Sequence, residues 1–238
     1  FRISGTRLKK QITLEPGQKS SFKVVMALSE TGEENQEKIS AFLSNEAPVD
    51  TQRSQFSEWF NENIPYLDVP DETIKQIYYF RWYTYRNHIR KTTEDYYIIS
   101  EFLPNVAWAG KHNSINCPAG LHVAEGRWLQ NSEYLDDYLT HWLDNGGSVR
   151  SYSFWIADAY YNRYLATGDE FVFDYVDKLK ANFEAWSDHY NEELGLYWQH
   201  NDRDGMENSI SSTFGYRPTI NSYMYGDAVA LSKLCALT

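Results

Sequence analysis

The stretch Ser132-Glu133-Tyr134-Leu135-Asp136-Asp137-Tyr138-Leu139-Thr140-His141-Trp142-Leu143-Asp144-Asn145-Gly146-Gly147 decides the fold. Rings and leucines recur as Tyr134/Leu135, Tyr138/Leu139 and Trp142/Leu143, one apolar stripe at helical spacing. Ser132 stands where an N-cap is expected, and Asn145-Gly146-Gly147 stops the helix. The same period extends in both directions. Upstream, Ile74, Ile77, Tyr78, Arg81, Trp82, Tyr85 and Ile89 form a stripe after the start signals Asp68 and Asp71. Downstream, a helix is expected from about Val149 to Ala166, ending at Gly168. Another runs from Asp169 to about Tyr190 with Phe171, Tyr175, Leu179, Phe183 and Trp186 inward, and a last one opens near Thr219. Five or six helices in series predict helical hairpins, a mainly α domain.

Ahead of these helices the chain changes character. Leu8 to Leu14 and Ser21 to Leu28 read as two strands joined by a turn at Glu15-Pro16-Gly17-Gln18. A hairpin alone is marginal, so its sheet is expected to include strands before Phe1. Residues 32–64 read as a linker with a helix around Glu33 to Leu43, closed by Pro48. The expected organisation is therefore 1–31 as the last strands of a β-sandwich, 32–64 as linker, and 65–238 as the helical domain.

Two stretches lack a helical period, Ile99 to Trp128 and Leu194 to Pro218. Structureless loops longer than about 15 residues are uncommon and usually functional. Both carry Trp, His, Asn and carboxylates. Composition points the same way: 8 Trp, 19 Tyr and 12 Phe make 16% of 238 residues. Such rings fill a core, and they also line grooves that bind sugars, whose C–H faces stack while their hydroxyls need polar partners. The net charge of −11 argues against nucleic acid, which requires clustered cations. No apolar run of 18 residues occurs to span a bilayer. Cys117 and Cys235 have no metal-type spacing and read as two buried thiols, with one disulfide as the alternative.

The densest chemistry lies in Trp198-Gln199-His200-Asn201-Asp202-Arg203-Asp204-Gly205-Met206-Glu207-Asn208-Ser209. Glycosidic hydrolysis needs one protonated carboxyl to meet the leaving oxygen and one carboxylate to activate water or attack. Glu207, beside Met206 and near Asp202 and Asp204, meets the conditions that raise a carboxyl pKa. Read blandly, the same run is a solvated turn around Gly205.

The run Asp204-Gly205-Met206-Glu207-Asn208-Ser209 resembles the acid-bearing loop of the clan that holds glycoside hydrolase family 63, mannosylglycerate hydrolases and trehalases. In that clan the general acid stands two positions after a Gly and two before a Ser. Glu207 occupies this place, with Glu where Asp is usual. The resemblance implies a partial (α/α)6 toroid preceded by a short β-sandwich remnant, and an inverting glycosidase without cofactor or metal. Its partners are a carbohydrate and the remainder of the same barrel and β-sandwich. It further implies sugar contacts from Glu125, Arg127 and Trp128 in the 118–129 segment, and from Trp155 and Asp158 at a helix start. Arg217, Asn221 and Tyr223 follow the acid loop, and Trp108, Trp198, Asp204 and Asn208 complete the set. The clan's catalytic base is a Glu late in the barrel, expected beyond Thr238, with Glu101 or Glu125 as the alternative within the chain.

Three other readings stay open. Alternating His200, Asp202 and Asp204 offer a metal site of hard oxygens. A toroidal polysaccharide lyase is the enzymatic rival, and a carbohydrate-binding scaffold without turnover is the rival from another class.

Overall fold

The computed structural model describes residues 2–4, 7–102, 104–205 and 213–238. It divides into two compact units, residues 1–58 and 59–238.

In the first unit, β1 (Arg2–Ser4) and β2 (Arg7–Lys9) pair antiparallel, with Ile3 opposite Leu8. The expected second strand, Ser21 to Leu28, is extended chain instead. It has no neighbouring edge among the described residues, and Met26 and Leu28 are exposed. Only the turn survives, closed by the Gln18 N–H on the Glu15 carbonyl at 2.9 Å with Gly17 at φ +83°. Helix α1 (Gly32–Ser44) starts at Thr31, whose hydroxyl accepts from the Glu34 N–H. Pro48 opens a second helix, α2 (Pro48–Asn63), rather than closing the first. Proline suits a first helical position because its missing N–H would have no partner there.

The second unit is a mainly α partial helical barrel. Asp71 caps α3 (Glu72–His88), accepting from the N–H groups of Thr73 and Ile74. Trp82 and Tyr85 are buried, whereas Ile74 and Ile77 of the same expected stripe are more than half exposed. The hairpin β3 (Ile89–Lys91) and β4 (Tyr97–Ile99) pairs Ile89 with Ile99. Helix α4 (Ala119–Gly126) lies inside the first stretch read as loop. Helix α5 (Glu133–Leu143) buries Leu135, Tyr138, Leu139, His141 and Trp142. Its Asp137 carboxylate accepts from the Tyr97 N–H at 2.9 Å, tying it to β4. Ser132 stands at the N-cap of α5 as expected, but its hydroxyl makes no capping bond; the Asn131 amide oxygen accepts the Glu133 N–H instead. His141 sits between the Tyr96 hydroxyl and the Ser114 hydroxyl, and burial pulls its pKa down to about 4, so the ring stays neutral.

Helix α6 (Ile156–Thr167) starts seven residues later than its periodicity predicts and ends at Gly168, φ +70°. Its buried Arg163 grips Asp136 of α5 through two nitrogens, at 2.9 and 3.1 Å. Helix α7 (Val176–Ala185) is flanked by 3-10 turns, with Tyr175, Leu179 and Trp186 inward as expected. A three-stranded sheet follows, β5 (Tyr190–Asn191), β6 (Leu196–His200) and β7 (Phe214–Tyr216), in that order. The second stretch read as loop thus contains two strands of this sheet, β6 and β7. Helix α8 (Pro218–Leu237) closes the chain. Both cysteines are free thiols; Cys117 is half-buried and Cys235 exposed, so neither is the buried thiol expected.

Candidate functional site

Helix α6 packs against both α4 and α8, its start lying against Gly120 near the start of α4 and against Tyr223 and Asp227 in the first half of α8. Trp155, the residue before α6, meets the Tyr223 ring of α8 at 4.5 Å. The same indole covers Gly120 of α4 so closely that a Cβ there would overlap the ring. Only glycine at position 120 lets the Trp155 plane lie against the helix.

Helix α8 supplies another fixed point. Its buried Asp227 carboxylate accepts the Asp158 N–H at 3.0 Å and reaches the N–H groups of Ile156 and Ala157. It therefore caps α6 from a different helix, satisfying donors that the first turn leaves open. Burial outweighs those hydrogen bonds, and its pKa rises to about 8. Asp158 is half-buried, which raises its pKa against the opposing charges of Lys233 and Arg127. Its carboxylate accepts from Asn162 at 2.7 Å, and Asn162 in turn accepts from Arg127 at 2.7 Å. Arg127 also lies over the Trp128 ring.

The hairpin of β6 and β7 projects toward the start of α6. The Asn201 N–H donates to the Thr213 carbonyl at 2.9 Å, one more rung of the hairpin beyond His200 and Phe214. The Ser153 N–H donates to the Arg203 carbonyl at 2.7 Å, and the buried Gln199 amide donates to the Ser153 hydroxyl at 2.9 Å. Asp204, with a fully buried side chain, accepts from Arg217 at 2.8 Å. Gly205 has φ +79° and sits against the Cys117 sulfur.

An open cavity of about 780 Å³ lies here, lined by Glu101, Phe102, Trp108, Tyr152 and Asp202 among others, with Gly205 on its wall. Its acidic and aromatic lining suits sugar hydroxyls and C–H faces together. The Glu101 carboxylate meets His122 Nε2 at 3.1 Å, and this hydrogen bond holds its pKa below the usual carboxylate range. The other His122 nitrogen faces the Tyr138 hydroxyl at 3.0 Å. Tyr223 is close enough to Cys117 and Asp204 to feel both, and burial above all raises its pKa. The loop carrying Phe102 and Trp108 is tied by Asn113, whose amide donates to the carbonyls of Phe102 and Pro104 and accepts from the Val106 N–H.

The residues singled out by sequence fall into separate groups. Trp108 lines the cavity. Asp204 and Arg217 pair behind Gly205, and the Trp155 and Tyr223 rings meet at a tilt of 50°. Arg127, Trp128 and Asp158 belong to one network on α4 and α6. Asn221 does not line the cavity: its amide group exchanges hydrogen bonds with the Tyr197 backbone at 2.9 Å. Trp198 stacks on His189 in the sheet, centroids 4.2 Å apart. Glu125 lies elsewhere, held by Arg81 through two bonds at 2.9 and 2.7 Å, as a local ion pair. Glu207 and Asn208 lie outside the described residues. Sequence reasoning missed Phe102, Cys117 and Tyr152 as lining residues. Phe102 and Cys117 lie in the first aperiodic stretch, which was their signal; Tyr152 lies outside both stretches and had none. Among the described residues no cluster of three or more His, Cys, Asp or Glu is arranged to hold a metal, and no helix is long and apolar enough to cross a membrane.

A solved structure named sialidase aligns with 77% of this chain at 39% identity and a TM-score of 0.71. The chain spans 18% of that protein's length. No curated protein matches. The family model described as mannosylglycerate hydrolase MGH1-like glycoside hydrolase domain matches residues 111–238, more than half of the chain. That interval holds α4 to α8 and the hairpin of β6 and β7, and the chain belongs to this glycoside hydrolase family.

Proposed function

We propose that this chain contributes the acid-bearing, sugar-binding side of a glycosidase that removes terminal sugars from oligo- or polysaccharides with inversion. Glu207 is the general acid in this reading, and residues 65–238 are part of the catalytic barrel. The observation that carries it is the cavity wall: Asp202, Arg203 and Gly205 line a cavity faced with Phe102, Trp108 and Tyr152, and Glu207 follows two residues on. Family membership supports the reaction class.

Each group then has a task. Trp108 and Phe102 stack against sugar C–H faces, while Glu101 and Asp202 accept sugar hydroxyls. Asp204, paired with Arg217 at 2.8 Å, fixes the backbone beside Gly205 on the cavity wall. Glu207 protonates the glycosidic oxygen as the C–O bond breaks, and a second carboxylate about 6.5–9.5 Å away takes a proton from the attacking water. No cofactor takes part.

The test uses the full-length protein and a panel of glycans. Glu207→Gln is expected to lower kcat by about 10² to 10⁴ while leaving sugar affinity in place. Proton NMR of the first-formed product reports the anomer. Retained configuration, or a Glu207→Gln variant with unchanged turnover, refutes the assignment.

A further inference from the structure

A second cavity, of about 540 Å³, takes residues from the same 102–113 loop yet shares no lining residue with the first. Its lining includes Arg90, Lys91, Thr92, Thr93, His112 and Asn113. Three of these carry cationic or potentially cationic side chains, in a chain whose net charge is −11.

The cations are not equivalent. Lys91 is held by Asp95 at 2.6 Å. Lys111, next to His112, is held by Glu94 at 2.7 Å, and His112 Nε2 lies 3.4 Å from the other Glu94 oxygen. Two carboxylates oppose an anion here, Asp95 and Glu94, and each is paired with a lysine; the Glu94 pKa is lowered chiefly by its hydrogen bond from Lys111. Arg90 forms no ion pair among the described residues. Its Nη2 is buried without a hydrogen-bond acceptor among the described residues, whereas His112 Nε2 has only the long approach to Glu94. An arginine cannot shed its charge, so a buried guanidinium nitrogen with no acceptor is a costly arrangement that native proteins rarely keep without purpose.

The backbone adds a second, independent observation. His112 and Asn113 both lie in the left-handed region, at φ +55° and +60°. Asparagine tolerates this conformation, and Asn113 is secured by its loop hydrogen bonds. Histidine tolerates it less well, and strain of this kind gathers at ligand clamps. The Tyr96 ring meets the His112 ring edge-on at 5.5 Å.

We propose that this cavity binds an oxyanion, a carboxylate, sulfate or phosphate group, through Arg90 and His112. The threonine hydroxyls in the lining add neutral donors. This stands apart from the glycosidase reading, because binding here is measured without turnover.

The test is isothermal titration of the full-length protein at constant ionic strength with sodium sulfate, sodium glucuronate and uncharged methyl glucoside. Wild type is expected to bind both anions, and Arg90→Gln to weaken them at least tenfold. Glucuronate binding tighter than sulfate identifies an acidic sugar as the source of the anion; equal or tighter sulfate identifies a free anion. Both support the site. If Arg90→Gln does not fold, His112→Gln is read by the same criterion. Wild type binding neither anion, or a folded variant binding both unchanged, overturns the proposal.

Discussion

Asp227 offers the sharpest test of how the helix ends are held. Burial pushes its pKa up to about 8 from an ordinary 3.8. A group whose folded pKa is raised contributes its full stability below the unfolded pKa and loses it as pH rises through the folded value. Here the window runs from about pH 4 to about pH 8. Each pH unit inside it costs roughly 1.4 kcal/mol, so wild type loses on the order of 3 kcal/mol at this position between pH 5 and 7. Asp227→Asn keeps an amide oxygen for the Asp158 N–H and cannot ionise. Urea unfolding followed by tryptophan fluorescence, at pH 5 and 7 on both proteins, isolates the contribution. The variant is expected to gain about 3 kcal/mol over wild type between the two pH values. If the two profiles run parallel, the carboxylate is already ionised at pH 5 and burial does not dominate its environment.

Three further outcomes follow from contacts at the site. Arg217→Ala removes the cation 2.8 Å from the Asp204 carboxylate, whose side chain is fully buried, and is expected to destabilise by about 3 kcal/mol; the double variant with Asp204→Ala should recover part of that in denaturant melts. Gly120→Ala places a methyl group inside the Trp155 ring position, costing about 1–3 kcal/mol and shifting tryptophan emission as the indole leaves Tyr223. Trp108 is more than half exposed, so Trp108→Ala should change stability by less than about 0.5 kcal/mol yet weaken oligosaccharide binding about tenfold, roughly 1.4 kcal/mol, in calorimetry of the full-length protein.

Helices such as α5 and α7 were legible because their stripes are amphipathic, and burial follows a period of 3.6 wherever one face meets a core. Helix α4 was not. Its segment lacks a clear helical period, and the reason for its glycines, Gly120 and Gly126, lies in other elements: the Trp155 ring and the Tyr85 hydroxyl occupy the space a Cβ would need. The 21–28 run shows the converse error, since β-rich composition makes a strand only where another edge is present to pair with it. Capping failed in the same way at α6, whose first-turn donors are met by Asp227, about 70 residues later in the chain.

By itself the sequence determined the helical-hairpin class, the family and the two aperiodic stretches in which the chemistry gathers, because periodicity and local motifs are carried by neighbours along the chain. Only the tertiary structure decided that Glu101 and Asp202 line one cavity, that Asp204 needs Arg217, and that Glu125 is committed to Arg81. Those pairings join residues 13 to about 100 positions apart, and their burial and electrostatics exist only once the helices have packed together.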